Sequence, residues 1–230
     1  IPAMSLGDLP KLRSPVATIG FPTGGEQISI TEGIVSRVGF RRYVHHGAAR
    51  HLLVQVDSAI NSGNSGGPVV QGRLVIGVAF QSYTQAENTG YIIPTPVIRR
   101  FLVDIEDGVY DGHPKHGLVT KKWSLMNEDT AEFHSIKRED GGVKVIHVDE
   151  WAPTKGIIEP GDILLSINNK KIGIDGKIDF NGERVDFKTL FDLRQLKDVV
   201  NFKIVRGNVT KNVNVTITPS KLHHLRGKVY

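Results

Sequence analysis

The 230-residue chain is 39% apolar and 23% charged, enough apolar material to build cores and a composition that excludes a mainly disordered state. Its length suits two domains, and the absence of cysteine excludes disulfides, thiolate metal sites and a cysteine nucleophile. The net charge of +5 is a mild excess, and no nucleic-acid module is recognisable.

Short apolar runs at 16–21, 33–38, 52–56, 69–70, 74–80 and 90–93 alternate with Gly and Pro punctuation, and no long 3.6-period segment lies between them. That spacing predicts a β-barrel or sandwich rather than βαβ units. The longest runs, 52–56 and 74–80, fall far below the roughly 20 residues of a membrane-spanning helix. No stretch has the basic start and apolar centre of a signal peptide, and a start at Ile1 fits a processed or excised chain. Thr95 as N-cap, Pro96 and the apolar side of 97–102 predict a helix closing the region. Residues 106–116, rich in turn formers, read as a linker. Beyond it, strands are expected at 142–148, 162–167, 200–205 and 213–218, with a helix over 187–197 carrying Phe187, Leu190, Phe191, Leu193 and Leu196 on its apolar side. From Val199 to Tyr230 there are six Lys or Arg and no acid. This is either a solvated basic edge or an attraction to acidic surfaces.

The segment richest in chemistry is Asp57-Ser-Ala-Ile-Asn-Ser-Gly-Asn-Ser-Gly-Gly-Pro68. A serine hydroxyl attacks a carbonyl only with a base to take its proton and donors to hold the oxyanion it creates. Glycines around Ser65 let the backbone turn tightly and bring its N–H groups close to a substrate carbonyl. Gly63-Asn64-Ser65-Gly66-Gly67 formally fits a nucleophile elbow, but that motif needs a helix directly after the serine. Here Pro68, Val69 and Val70 lead into strands, the context of a chymotrypsin-type loop.

In that context the segment 59–68 resembles the nucleophile loop of the HtrA/Deg serine proteases. Ile19-Gly20-Phe21-Pro22-x-Gly24, Thr31-Glu32-Gly33-Ile34-Val35-Ser36 and Asn88-Thr89-Gly90-Tyr91-Ile92-Ile93-Pro94 resemble the family's flanking motifs in the same order. The wording at 79–82 and 92–98 is closest to the plant-type Deg branch and its bacterial relatives. The resemblance implies a mainly β fold: the C-terminal half of a chymotrypsin-like double β-barrel over 1–105, then a PDZ domain (α+β) over 117–219, with a linker at 106–116 and a basic tail at 220–230. It implies an ATP-independent serine endopeptidase that degrades unfolded or damaged proteins. Ser65 is the nucleophile, and the oxyanion hole lies in Gly63, Asn64 and Ser65, the N–H groups of Gly63 and Ser65 being its natural donors. Phe80, Gln81 and Ser82 bind substrate, Phe80 either shaping an apolar primary pocket or filling the barrel core. Asn64 stands where trypsin-like zymogens carry an Asp, so activation by clipping is not expected. The family's catalytic His and Asp lie upstream of these motifs. His45, His46 and His51 sit in a loop-like stretch without the histidine motif, and Asp57 reads as loop scaffold. A protease fold used for binding or chaperoning without catalysis is the alternative.

Gly117-Leu118-Val119, then Gly142-Val143-Lys144-Val145, Trp151-Ala152-Pro153 and Pro160-Gly161-Asp162-Ile163-Leu164 resemble a PDZ domain of the HtrA type. By that resemblance Gly117, Leu118 and Val119 face a peptide carboxylate. The helix over 187–196 offers Leu190 or Phe191 to the groove, or else buries them in the core. The loop departs from the family's more aromatic or glycine-rich form, and 173–183 is an insertion typical of the plant-type branch. The implied partners are unfolded polypeptides, peptide segments and further copies of the chain, with no nucleic acid, cofactor or metal. The implied location is the periplasm in a bacterium and an organelle or the nucleus in a plant. Asp175, Asp179, Asn181 and Glu183 miss the calcium-loop pattern and read as a hairpin turn. His113 and His116 read as exposed linker. Asn208 and Asn214, in formal glycosylation triplets, read as strand residues.

Overall fold

Alternating apolar residues between glycine and proline breaks form the described strands up to Pro94. The computed structural model describes residues 3–21, 27–43, 50–61, 63–82, 89–122 and 137–219. It separates into two compact units, residues 1–103 with 180–184, and residues 104–179 with 185–230. Pro22, Gly24, His45, His46, Ser62, Asn88 and the tail 220–230 lie outside the described residues, and Gln81 and Ser82 are described by their backbone alone.

In the first unit the strands are β1 (Ser5–Leu6), β2 (Pro15–Gly20), β3 (Ser29–Arg42), β4 (Arg50–Val56), β5 (Pro68–Gln71), β6 (Leu74–Ser82) and β7 (Gly90–Pro94). Their order is β1-β6-β5-β2-β3-β4-β7, and β7 also pairs with β6. β2 to β7 thus close into a six-stranded antiparallel barrel, with β1 added in parallel to β6. Val35, Leu52, Val54, Val56, Val69 and Ile92 are completely buried. Each such side chain contributes on the order of 1.5–3 kcal/mol. Pro68 opens β5, a strand position at which the missing N–H is tolerated. β3 is 14 residues long, with a register shift between Val35 and Arg37, and far exceeds the expected 33–38. His51 lies within β4 and not in a loop.

Helix α1 (Thr95–Asp104) follows β7 directly. Thr95 is buried at the start of the helix and its hydroxyl has no hydrogen-bond partner among the described residues, so it does not supply the expected side-chain cap.

The second unit holds β8 (Leu118–Lys122), β9 (Val143–Val148), β10 (Ile163–Ile167), β11 (Lys170–Lys171), α2 (Lys188–Asp192), β14 (Val199–Arg206) and β15 (Val209–Thr216), together with the parts of β12 (Lys177–Phe180) and β13 (Glu183–Asp186) that lie outside 180–184. Its main sheet runs β15-β14-β10-β9-β8, with β11 on β10, and β12 and β13 pair apart from it. Asn168 and Asn169, Asn181 and Gly182, and Gly207 and Asn208 all take positive φ between paired strands. Such two-residue turns match the strand twist. The residues 175–183 thus form the expected hairpin, and Asn214 sits in a strand, where its side chain accepts a hydrogen bond from Asn201 at 2.9 Å. Asn208 occupies the turn itself, not a strand.

α2 is only five residues long, and Leu190 and Phe191 are both buried. The expected continuation to 197 fails because Lys197 takes φ +72° and its N–H pairs with the Ile217 carbonyl at 2.9 Å. The chain is instead tied to the residue that follows β15, and the helix stops short of two full turns.

Candidate active site

The loop between β4 and β5 is held by glycines from three other strands. A Cβ on Gly20 would lie 2.5 Å from Asn64 Oδ1 and 2.8 Å from its Cα. One on Gly33 would strike Asp57 and Ser58, and one on Gly90 would lie 2.7 Å from Ile60 Cδ1. The flanking motifs, far apart in sequence, are therefore the walls against which this loop lies. Glycine, which has no Cβ, is required at all three walls because real Cβ contacts are not so close.

Hydrogen bonds complete the placement. Asp57 Oδ1 accepts the Ile34 N–H at 2.5 Å, and the Asp57 N–H donates to the Ile34 carbonyl at 3.2 Å. The buried hydroxyls of Thr18 and Ser58 are 2.8 Å apart, and Thr31 donates to the Ala59 carbonyl at 2.9 Å. On the other side Gly66 N–H donates to the Ala79 carbonyl at 2.8 Å, and Ala79 N–H to Gly67 at 2.9 Å.

Ser65 is exposed at the crest of this loop. Gly63 has φ +98° and Gly66 φ +89°, so both bends beside the serine use conformations open chiefly to glycine. The Asn64 N–H donates to the Asn61 carbonyl at 3.0 Å and is not available to a ligand. Among the described residues, neither the Gly63 nor the Ser65 N–H has a partner. The Asn64 side chain is 1% exposed, and among the described residues both its amide atoms lack hydrogen bonds.

Phe80 is half-buried on β6 and tilts against Tyr43, ring centroids 4.9 Å apart, while Tyr43 meets His51 edge-on at 4.8 Å. Tyr43 is buried and its hydroxyl donates to the Leu52 carbonyl at 3.0 Å. Tyr43 follows the end of β3, where sequence reading found no motif to mark it. Gln81 and Ser82 continue β6 by pairing with Tyr91 and Gly90.

In the second unit, Gly117 takes φ +64°, Leu118 is buried and Val119 is 48% exposed. His116 is not an exposed linker residue. Its Nδ1 accepts the Leu118 N–H at 2.8 Å, its ring lies edge-on to Phe191, and its carbonyl accepts the Thr154 hydroxyl at 2.6 Å. Burial, aided by Lys188 and opposed by Asp192, lowers its pKa to about 3. His113 is also partly buried, its Nδ1 3.3 Å from Asp192 Oδ1. Asp162, in the Pro160-Gly161-Asp162 turn, receives two hydrogen bonds from Arg206 at 2.8 and 2.7 Å, and Arg206 also reaches Glu159 at 2.6 Å. The hydrogen bond to Asp162 raises the Arg206 pKa above its ordinary value.

Residues 1–78 match the trypsin-like peptidase domain. The chain is 36% identical over 219 residues to the mitochondrial Protease Do-like 4 of Arabidopsis thaliana, covering 94% of this chain and 42% of that protein. It is 37% identical to the chloroplastic Protease Do-like 2 of the same plant over 222 residues, 94% of this chain and 36% of that one. The chain is a Deg/HtrA protease homologue. Over 103 residues it is 47% identical to the serine protease DegP homolog of Plasmodium falciparum, covering 45% of this chain and 12% of that protein. The fold of this Deg/HtrA homologue is likewise that of the HtrA-type protease AlgW solved with a tripeptide. The TM-score is 0.66 at 23% identity, over 94% of this chain and 69% of that one. The chain thus spans about two fifths of the length of these Do-like relatives.

Proposed function

We propose that this Deg/HtrA homologue carries the nucleophile and oxyanion hole of a serine endopeptidase that cleaves unfolded or damaged polypeptides without ATP. The observation that supports it is the exposed Ser65 beside two unpartnered N–H groups on a loop pinned from three strands. In this reading the Ser65 oxygen bonds to the scissile carbonyl carbon and its proton passes to a general base. The carbonyl electron pair moves onto oxygen, where the Gly63 and Ser65 N–H groups stabilise it. Collapse breaks the C–N bond, the amine leaves with the proton, and water releases the acyl group. Asn64 lies within this segment but spends its N–H on Asn61, so two donors and not three serve the oxyanion. The base and its orienting carboxylate belong to a preceding barrel in the complete protein. Phe80 and Tyr43 offer an apolar wall to the substrate side chain, and the β6 backbone at Gln81 and Ser82 pairs with the substrate.

The second unit serves as a PDZ-type module in this reading, adding a peptide strand at β8 beside Gly117, Leu118 and Val119. The complete protein works as a homo-oligomer, in an organelle or the nucleus of a plant or in the periplasm of a bacterium. Fluorophosphonate labelling of the complete protein tests the catalytic part. Labelling that disappears in Ser65→Ala is expected. Labelling that persists in that variant, or none in the native protein, overturns the reading and leaves a protease fold without catalysis.

A further inference from the structure

A short loop that holds a peptide's terminal carboxylate must offer free N–H groups, and here the central one is occupied. The Leu118 N–H donates to His116 Nδ1 at 2.8 Å. The histidine is fixed in place by the edge contact of its ring with Phe191 and by the Thr154 hydroxyl bound to its carbonyl. With its pKa lowered to about 3, chiefly by burial, the ring keeps an acceptor lone pair on Nδ1 at neutral pH. An entering carboxylate would have to displace a neutral acceptor from Leu118 and leave that ring nitrogen without its donor.

The strand that follows is open. Among the described residues β8 pairs only with β9 and ends the sheet, so its outer row of backbone N–H and C=O groups is free to take another strand. Val119 is half exposed on it, and Lys121 and Lys122 are exposed with no carboxylate partner among the described residues. Strand addition needs backbone and side-chain contacts but no chain terminus.

We infer that the β8 edge takes an extended internal segment of another polypeptide bearing acidic side chains opposite Lys121 and Lys122, with His116 closing the loop to a free chain terminus. The inference rests on the strand-addition reading of the second unit and specifies its ligand.

The full chain, carrying Ser65→Ala so that peptides stay intact, is panned against two displays of one random-peptide library. In one display the random stretch ends in a free carboxyl group; in the other it is flanked by carrier sequence on both sides. Enrichment of Asp- and Glu-bearing sequences from the flanked display, at least tenfold above the free-ended display, is expected. In His116→Ala the free-ended display gains at least tenfold, whereas His116→Gln, which keeps an acceptor, retains the preference for flanked sequences. Equal or stronger enrichment of free-ended sequences by the unaltered histidine form overturns the inference, and this arm needs no variant at 116 to fold. Flanked winners without acidic residues overturn the charge assignment. No enrichment from either display overturns the strand-addition reading itself, while fluorophosphonate labelling of Ser65 reports on the catalytic reading independently.

Discussion

Gly20 and Asn64 touch backbone to side chain: a methyl group on Gly20 would lie 2.5 Å from the Asn64 carboxamide oxygen, itself fully buried. Gly20 belongs to β2 and Asn64 to the loop bearing Ser65, so a change forty-four positions away in sequence acts directly on the nucleophile's neighbour. Gly20→Ala forces the loop or the strand to shift. It should lower fluorophosphonate labelling of Ser65 in the complete protein at least tenfold. Overpacking of this kind costs about 1–3 kcal/mol, too little to unfold a domain of ordinary stability. Normal labelling with normal far-UV circular dichroism would show that the contact does not govern the site.

The oxyanion donors make a sharper prediction. Gly63 sits at φ +98°, where a side chain is strained, and its N–H is one of the two unpartnered donors. Gly63→Ala keeps this N–H but turns it away from the oxyanion as the strained backbone relaxes, and is expected to reduce kcat for peptide cleavage by the complete protein about 100-fold or more, the magnitude typical of a lost oxyanion donor. KM should change little, because the donor serves the transition state more than the bound substrate.

Arg206 and Asp162 test the stability of the second unit. Asp162 is 1% exposed, and Arg206 holds both its oxygens. Arg206→Ala leaves a buried carboxylate with its ion partner gone and should destabilise the unit by about 3 kcal/mol, read from the urea midpoint. Adding Asp162→Asn removes the orphaned charge and should restore part of that loss.

The pH dependence of stability should carry the signature of His116. Its ordinary pKa is 6.5 and the folded value about 3, so between these the unfolded chain binds the proton and the folded chain does not. Stability linked to this residue is therefore complete above about pH 6.5 and falls as the pH is lowered toward 3. The melting temperature of the second unit should drop over that range. His116→Asn, which cannot titrate, should show a shallower drop, and an identical slope in both proteins would assign the effect elsewhere.

How far the residues foretold this molecule depends on what each signal measures. β2 and β4 to β7 were legible because their apolar runs are short and bounded by turn formers. β3 was recognised only at its centre: its outer residues mix Arg, Ser and Thr with exposed apolar residues, and pairing with β2 and β4 extends it to 14. The helix over 187–197 misled because apolar spacing reports burial, not where the backbone turns; Lys197 and Ile217 decide that through a bond distant in sequence. Ser65 and its glycines stand out as a motif. That Gly20, Gly33 and Gly90 press on one loop needs three dimensions, as does the bond that takes His116 out of the linker and into the second unit.

The two larger sheets differ in how they end. The barrel's ring closes on itself through β7, which bonds to both β4 and β6, and so offers no open ladder there. Among the described residues the second unit's sheet stops at β8 and at β15, and strand ends of this kind are where separate molecules zip together when a protein is concentrated or partly unfolded. β15 meets that hazard with exposed Lys211, Asn212 and Asn214, while β8 places Lys121 and Lys122 beside Val119. Removing the lysines from either strand would therefore act first on the colloidal behaviour of the chain, and clumping would begin from the second unit.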